Sequence, residues 1–217
     1  MRVVLISGGN IQSGSALAFL QRERVDKIIA VDRGLGFCHC HKITPDAVVG
    51  DFDSVDDQVV QSYLGRPDVA VRRLCPQKDD SDTQSAFHLA VEMGASQITI
   101  LGGIGSRLDH VLANLELLSY GLTLGIRSCM VDAQNLIWAS EGPRVVLKRK
   151  EQWGKYVSMF ALGGPVEGLT LEGFLYPLED HCLTSRDCGL TVSNEILAEE
   201  AVITFRKGCL LLVMSKD

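Results

Sequence analysis

Short apolar runs alternate with helix-like segments through the first half of the chain, and this alternation limits the possible folds more than any other feature. Strands are predicted at residues 2–6, 27–31, 47–49, 69–72 and 97–101, and helices at residues 15–24, 55–64, 81–93 and 106–120. Strands that alternate with helices favour a mostly parallel sheet. Because ligands of such sheets bind beyond the carboxyl ends of the strands, a ligand site is expected at that edge.

The pattern changes near residue 135, after which β-type runs follow one another without a convincing helix. These runs lie at residues 145–147, 156–161, 170–175, 189–192, 202–205 and 210–214. Short strands with polar or glycine breaks are typical of antiparallel sandwiches and barrels. The sequence therefore predicts an α/β domain with a mostly parallel sheet over residues 1–135, followed by an all-β domain, sandwich or barrel-like, over residues 136–217.

Composition excludes several classes of protein. The 217 residues carry a formal net charge of −6 at pH 7, whereas a nucleic-acid-binding surface needs clustered lysine and arginine. No apolar run reaches the roughly 18 residues that a membrane helix needs, so neither a nucleic acid nor a membrane is an expected partner. The apolar run at residues 1–7 is too short for a signal-peptide core, so a cytoplasmic location is expected. The seven cysteines form an odd set without C-x-x-C pairs, which favours reduced thiols over a disulfide framework.

The segment Cys38-His39-Cys40-His41 offers four potential zinc ligands in a row. Adjacent side chains point in different directions, so these four cannot all close one tetrahedral site without help from elsewhere in the chain. A loop or short helix that carries these residues is therefore favoured over a zinc site.

Two carboxylates follow the third predicted strand, in the segment Val49-Gly50-Asp51-Phe52-Asp53-Ser54. Residues i and i+2 of a strand share a face, so Asp51 and Asp53 are expected to point the same way while Phe52 turns into the core. Carboxylates held this close repel each other unless a cation lies between them, and Mg²⁺ prefers oxygen ligands. The alternative is an acidic turn that simply closes the strand, since Asp and Ser are common turn residues.

A second acidic stretch precedes the predicted helix at residues 81–93. Ser81 and Gln84 have the spacing of a capping box, and Asp82 then falls in the first turn, where the helix dipole favours a carboxylate. Capping is thus one explanation of these residues. Asp79, Asp80 and Asp82 together place more negative charge here than a cap needs, and a metal ion would relieve it.

The third stretch, residues 101–114, is predicted to be a strand, a glycine loop and a helix. Ser106 could cap this helix and Asp109 could reach back to it, while Arg107, His110 and Asn114 share one polar face. An arginine in the first helical turn opposes the dipole, so its position is explained more easily if an anion binds there. The alternative is an exposed polar face. The buried face of the helix is predicted to consist of Leu108, Val111, Leu112, Leu115 and Leu118.

In this order, these stretches resemble the motifs of the thiamine pyrophosphokinase (thiamine diphosphokinase) family. The motifs that carry the resemblance are Gly50-Asp51-Phe52-Asp53-Ser54, Ser81-Asp82, Gly105-Ser106-Arg107-Leu108-Asp109-His110 with Asn114, Gly173-Phe174-Leu175-Tyr176-Pro177-Leu178 and Val192-Ser193-Asn194-Glu195. Each motif is weak by itself, but the match covers nearly the whole chain.

The resemblance implies an enzyme that transfers a diphosphate group from ATP to the hydroxyl of thiamine, giving thiamine diphosphate and AMP, with Mg²⁺ as cofactor. It implies that the first domain binds ATP and the metal. The second domain would bind thiamine and form a homodimer, with the active site at the subunit interface.

The resemblance also assigns roles to individual residues. Asp51, Asp53 and Asp82 are expected to be catalytic and to hold Mg²⁺. The residues expected to bind the nucleotide are Asp32, Ser54, Gln84, Arg107, Asp109, His110 and Asn114. Thiamine is expected to contact Tyr176, Ser193 and Asn194, and stacking on Tyr176 suits a cationic ligand because a ring face attracts positive charge.

The chain departs from the family pattern at three positions. Ser106 and Arg33 stand where glycine is usual, and Ser85 stands where many members carry lysine. These differences concern the phosphate contacts, for which Lys78 or Arg33 could supply positive charge. Two other functions are weighed beside the kinase: a metal-dependent phosphohydrolase acting on nucleotides or another phosphate ester, and a non-catalytic nucleotide-binding protein.

Overall fold

This computed structural model describes residues 1–75 and 80–217. The chain divides into two compact units. The first comprises Met1–Leu117 and Leu124–Ala133, and the second comprises Leu118–Thr123 and Gln134–Asp217. Within the described residues, no helix has the length and apolar character that crossing a membrane requires.

In the first unit, the described residues form a parallel sheet of six strands with helices between them. Its elements are β1 (Arg2–Ile6), α1 (Ser13–Arg22), β2 (Lys27–Val31), α2 (Gly34–Cys40), β3 (Ala47–Gly50), α3 (Asp57–Tyr63), β4 (Ala70–Arg73), α4 (Asp82–Glu92), β5 (Gln97–Leu101), the part of α5 (Leu108–Thr123) up to Leu117, and β6 (Arg127–Val131). The strand order is β4-β3-β2-β1-β5-β6. This confirms the predicted α/β fold, although β6 was not predicted.

Strand β1 lies at the centre of this sheet, where the strand order reverses. The chain adds β2, β3 and β4 on one side of β1 and then returns to place β5 on the other side. Leu5 and Ile6 of β1 are completely buried, because helices cover both faces of the sheet. A crevice forms at such a reversal point, beyond the carboxyl ends of the strands, and it places the ligand site of this unit.

The second unit is an antiparallel β structure, as predicted. Its strands are β7 (Asn135–Ser140), β8 (Arg144–Lys148), β9 (Tyr156–Glu172), β10 (Leu178–Leu183), β11 (Asn194–Glu195), β12 (Glu200–Thr204) and β13 (Lys207–Ser215), with a 3₁₀ helix at Arg149–Glu151. The long β9 pairs with β10, β11, β12 and β13, and its apolar side chains lie in a shared core with those of β13.

Two sequence-based expectations about elements were wrong. Residues 189–192 form turns rather than a strand, and residues 156–161 and 170–175 belong in part to the single strand β9 rather than to two strands. The apolar face of α5 also differs from the predicted one. Leu118 is buried as expected, but the side chains of Leu108 and Leu112 are 72% and 62% exposed.

Candidate active site

A cleft of about 550 Å³ opens at the carboxyl ends of the strands in the first unit. It lies at the ends of β1, β2, β3 and β5 and at the start of α4 and α5. Eight of the predicted site residues line it: Asp32, Asp51, Asp53, Ser54, Asp82, Arg107, His110 and Asn114. Of the other residues predicted to bind the nucleotide, Gln84 and Asp109 are not part of the lining that the described residues provide.

Two glycine segments form the floor of the cleft by packing backbone against backbone. The Gly9 N–H donates to the Gly102 carbonyl oxygen at 2.9 Å, and a Cβ on Gly9 would lie 2.4 Å from that same oxygen. Gly102 has a φ of +68°, and a Cβ there would lie 2.5 Å from the Ser7 carbonyl oxygen. Glycine is therefore required at both positions, because a side chain at either one would collide with the facing backbone.

Asp32 follows β2 and turns its carboxylate into the cleft. Its backbone N–H donates to the Val49 carbonyl oxygen at 2.8 Å, and the Ser54 hydroxyl donates to its Oδ2 at 2.7 Å. Its other carboxylate oxygen, Oδ1, is buried and has no hydrogen-bond partner among the described residues. Burial raises the pKa of Asp32, and the negative charges of Asp82 and Asp51 raise it further.

Asp51 and Asp53 lie in a turn that begins where β3 ends, at Gly50. The Asp53 N–H donates to Asp51 Oδ1 at 3.1 Å. Phe52 between them has a φ of +65° and is 4% exposed, so its ring is buried as predicted. The cause differs from the strand alternation that the sequence suggested, because this left-handed residue turns the chain and directs both carboxylates to the cleft.

The carboxylates of Asp32, Asp51 and Asp53 form one group. Each contributes an oxygen atom, and these oxygen atoms all lie within 4.8 Å of one another. Three carboxylates at this separation, one with an unpartnered buried oxygen, suit a hard divalent cation such as Mg²⁺. The sequence placed Asp32 among the nucleotide-binding residues and Asp82 among the metal ligands. The structure brings Asp32 into the carboxylate group and puts Asp82 in the wall of the same cleft.

The amino end of α4 positions Asp82. Ser81 caps the helix, since its hydroxyl accepts the Gln84 N–H at 3.1 Å, as the capping pattern indicated. The hydroxyls of Thr83 and Ser7 share a hydrogen bond of 2.8 Å inside the protein. Neither Ser7 nor Thr83 was predicted as a site residue, and the one signal for Ser7 is its position directly after a strand. Lys78, which the sequence offered as a phosphate contact, lies outside the described residues.

The glycine loop after β5 leads into α5, which begins at Leu108, two residues later than predicted. The Arg107 carbonyl oxygen accepts the Val111 N–H at 3.2 Å, so Arg107 precedes the helix instead of lying in its first turn. Asp109 does not reach back to Ser106. Its carboxylate accepts from the Arg107 guanidinium at 2.6 Å, which raises the pKa of Arg107 and lowers that of Asp109.

Asn114 is 5% exposed and reaches the cleft from the second turn of α5. Its Nδ2 donates to the Gly103 carbonyl oxygen at 2.8 Å. The amide therefore fixes the glycine loop, and a direct contact between Asn114 and a nucleotide stays a prediction. His110, one turn earlier, also lines the cleft.

The residues predicted to bind thiamine lie together in the second unit. The Tyr176 N–H donates to Asn194 Oδ1 at 2.9 Å, and Asn194 Nδ2 donates back to the Tyr176 carbonyl oxygen at 2.8 Å. Asn194 is 1% exposed, whereas Tyr176 is 59% exposed. The Ser193 N–H donates to Ser158 Oγ at 2.9 Å. Asn194 thus holds the segment that presents the Tyr176 ring to solvent.

The Cys38-to-His41 segment forms the end of α2. Cys38 is buried, and burial raises the pKa of its thiol to about 12. His39 and Cys40 are exposed, while His41 Nε2 lies 2.9 Å from the Ser13 hydroxyl. These orientations fit the short helix that was favoured from the sequence.

Known proteins resemble both units of the chain. Residues 21–130 match the family model described as "Thiamin pyrophosphokinase, catalytic domain", and residues 144–210 match "Thiamin pyrophosphokinase, vitamin B1 binding domain". A thiamine pyrophosphokinase of Bacillus subtilis is 31% identical over 189 residues, which cover 87% of each chain.

Solved structures agree with this match. The crystal structure of the Bacillus subtilis thiamine pyrophosphokinase has a TM-score of 0.87 at 28% identity, with full coverage of both chains. The Geobacillus thermodenitrificans thiamin pyrophosphokinase gives 0.83 at 30% identity, over 100% of this chain and 98% of that one. Yeast thiamin pyrophosphokinase shares the fold, with a TM-score of 0.80 at 16% identity over 99% of this chain and 86% of that one.

Proposed function

The chain belongs to the thiamine pyrophosphokinase family and transfers a diphosphate group from ATP to thiamine, and we propose that the cleft of the first unit holds the ATP. The observation that carries this assignment is the group formed by Asp32, Asp51 and Asp53, whose oxygens lie within 4.8 Å of one another in a cleft of about 550 Å³. The products are thiamine diphosphate and AMP. The phosphohydrolase alternative is not favoured, because both units match the kinase family.

Asp32, Asp51 and Asp53 would hold Mg²⁺, with Asp82 beside them in the cleft wall. When bound, the metal ion would offset the negative charge that builds up on the phosphate oxygens during transfer. The unpartnered Oδ1 of Asp32 supports this arrangement, because a buried carboxylate oxygen without a donor is costly unless a cation compensates it.

Positive groups at the rim would contact the phosphates. Arg33 and Arg107 are exposed side chains that line the cleft. The glycine segments line the same cleft, and the backbone N–H groups of such loops bind phosphate oxygens in many proteins. His110 and Asn114 line the same wall, and with Asp32 and Ser54 they are the proposed nucleotide contacts.

The thiamine hydroxyl oxygen would attack the β-phosphorus of ATP, the bond from that phosphorus to the AMP oxygen would break, and AMP would leave. The hydroxyl proton passes to a carboxylate. Asp53 and Asp82 are both candidates, since both side chains line the cleft. Most catalysis in such transfers comes from positioning and charge stabilisation, so no covalent intermediate with the enzyme is required.

Thiamine would be bound by the second unit, through stacking on Tyr176 and hydrogen bonds to Ser193 and Asn194. The exposed ring of Tyr176 and its fixed backbone suit a cationic aromatic ligand. We propose a homodimer in which the active site lies at the subunit interface. Such an interface would cover some of the apolar side chains that the second unit leaves exposed, among them Leu190 at 45% and Leu197 at 53%.

A direct test incubates the purified protein with ATP, Mg²⁺ and thiamine and identifies the products by mass spectrometry. We expect thiamine diphosphate and AMP in equal amounts, and no AMP without thiamine. Release of phosphate from ATP without thiamine would instead support the phosphohydrolase.

Removal of Mg²⁺ with EDTA should stop the reaction, and light scattering should give the mass of a dimer. A cytoplasmic location stays a prediction from composition.

A further inference from the structure

The hydroxyl groups of Ser7 and Thr83 form a buried pair in the wall of the cleft. They lie 2.8 Å apart although the two residues are 76 positions apart in the sequence. Ser7 is 6% exposed and Thr83 is 7% exposed, and both line the cleft. The pair therefore connects two parts of the site that the chain brings together only on folding.

Each member of the pair is attached to a different element. Ser7 follows β1 directly, and its N–H donates to the Leu101 carbonyl oxygen at 2.8 Å, so the sheet holds it in place. Thr83 is the second residue of α4 and directly follows Asp82. The shared hydrogen bond consequently links the centre of the parallel sheet to the helical turn that carries Asp82.

Packing alone fixes the start of α4 less well than this bond does. The buried apolar side chains of α4 nearest its start are Ala86 and Phe87, both completely buried. Apolar contacts of this kind are non-directional, so they tolerate small shifts of a helix along its axis. A hydrogen bond between two buried hydroxyls depends strongly on distance and angle. It therefore defines where the first turn of α4 lies relative to β1.

We propose that the Ser7–Thr83 pair is a positioning device that sets the place of Asp82 beside the Asp32, Asp51 and Asp53 carboxylates. This role rests on the proposed function, because it matters when the four carboxylates act on one metal-bound substrate. Neither hydroxyl is required to touch the substrate. Loss of the pair should weaken metal binding and slow turnover, while the fold remains intact.

Kinetics of hydroxyl-deletion variants test the proposal. Thr83→Val keeps the shape of the side chain and removes the bond, and Ser7→Ala removes it from the other side. We expect each to lower kcat about tenfold and to raise the Mg²⁺ concentration for half-maximal rate about tenfold, because the pair holds Asp82 beside the three carboxylates that would bind the metal and the loss of such a supporting group usually has an effect of about this size. The double variant should be no worse than the poorer single variant, because both remove the same interaction. Thr83→Ser should restore nearly normal rates.

Thr99→Val is the matched control. The Thr99 hydroxyl lies on the neighbouring strand β5, contacts Cys129 Sγ at 3.5 Å and does not line the cleft formed by the described residues. Its loss should lower thermal stability by a similar amount but leave kcat and the Mg²⁺ requirement within about twofold of wild type. If Thr99→Val lowers kcat as much as Thr83→Val does, or if the Ser7 and Thr83 effects multiply in the double variant, the pair contributes stability alone and the proposal is wrong.

Metal binding without turnover separates this proposal from the proposed function. Mn²⁺ titrations followed by electron paramagnetic resonance, with a non-hydrolysable ATP analogue, should give a Kd about tenfold higher for Thr83→Val and Ser7→Ala than for wild type. An unchanged Kd in both variants would overturn the positioning role even if the wild-type enzyme makes thiamine diphosphate. If the wild-type enzyme made none while the Kd still rose, the proposed function would fail and the positioning role would stand. Should Thr83→Val not fold, Ser7→Ala decides between these outcomes.

Discussion

At the scale of single residues, the cleft is defined by the carboxylates of Asp32, Asp51 and Asp53, which come from the ends of two neighbouring strands. The sequence indicated Asp51, Asp53 and Asp82 because acids recur where strands and a helix meet. It could not show that the oxygens of Asp32 come within 4.8 Å of those of Asp51 and Asp53, because that distance depends on the pairing of β2 with β3. Likewise, the Ser7–Thr83 bond joins residues that no local pattern connects.

Replacing Asp51 with asparagine tests the carboxylate group. Asp51→Asn keeps the size of the side chain and its ability to accept the Asp53 N–H, but it removes the negative charge. We expect kcat to fall by about 10² to 10³, comparable to the loss of one preorganised electrostatic group. Steady-state kinetics measure this loss. Asp57→Asn, an exposed acid on α3 outside the cleft, is the control and should retain at least half of the activity. A near-normal rate for Asp51→Asn would contradict the assignment.

The buried thiol of Cys38 gives a pH prediction. Its pKa is about 12 in the folded protein, against an ordinary value of 9.0. Between these two values the unfolded chain releases the proton and the folded protein keeps it. The free energy of unfolding should therefore fall as pH rises, by about 1.4 kcal/mol per pH unit from this group. Urea unfolding of wild type and Cys38→Ala at pH 8 to 11 isolates the effect, since other groups titrate equally in both. Parallel pH profiles would show that the thiol is not responsible.

At the scale of elements, the sequence was most informative where apolar runs were continuous. After a single polar first residue, strands β1, β2 and β5 are uninterrupted apolar or β-branched segments, and their predicted bounds match the structure. Strand β6 was missed because it starts with Arg127-Ser128, which breaks the apolar run. The helical periodicity also predicted that Leu108 and Leu112 are buried, but both are exposed. The prediction was wrong because periodicity identifies the apolar face of a helix but does not show which part of the protein covers that face.

The glycine loop after β5 yields a prediction at this scale. Gly102 and Gly94 both have a positive φ, of +68° and +87° respectively. A Cβ added at Gly102 would collide with the Ser7 carbonyl oxygen, whereas a Cβ added at Gly94 would have no atom within 4 Å. Gly94→Ala should cost about 1–2 kcal/mol in unfolding free energy, the cost of a left-handed conformation. Gly102→Ala should cost more and should also raise the KM for ATP. Chemical denaturation and kinetics measure both, and equal effects of the two variants would contradict the packed floor described above.

At the scale of the whole molecule, the residues proposed to bind the metal ion and those proposed to bind thiamine lie in different units. The first unit carries the carboxylates around its cleft, and the second carries Tyr176 with its Asn194 support. The change from alternating elements to consecutive strands near residue 135 was visible in the sequence, because the two hydrophobic periods differ. The sequence did not show whether a partner copy supplies one half of the proposed active site. Assembly depends on the shape of the folded surface, which local sequence patterns do not describe.

Mixing two inactive variants tests the shared site. If each active site combines the first unit of one copy with the second unit of its partner, a dimer of Asp51→Asn with Tyr176→Ala has one intact site and one doubly altered site. Random exchange of subunits makes half of the dimers mixed, so about a quarter of wild-type activity should return. Activity after co-refolding of the two variants measures this. Each variant refolded alone is the control, and an absence of recovery in confirmed mixed dimers would place the whole site within one copy.

The pairing of β9 has a consequence for synthesis on the ribosome. This strand of 17 residues finds its partners in β10, β11, β12 and β13, all of which emerge after it. The C-terminal part of β9 can pair early with β10, but its residues 156–162 remain without strand partners until β11 and β13 have emerged, and unpaired strand edges are prone to wrong associations. The first unit, whose last strand β6 ends at Val131, can complete its sheet well before that. We therefore expect wrong associations of the nascent second half to involve the N-terminal part of β9, until β11 and β13 are available to pair with it.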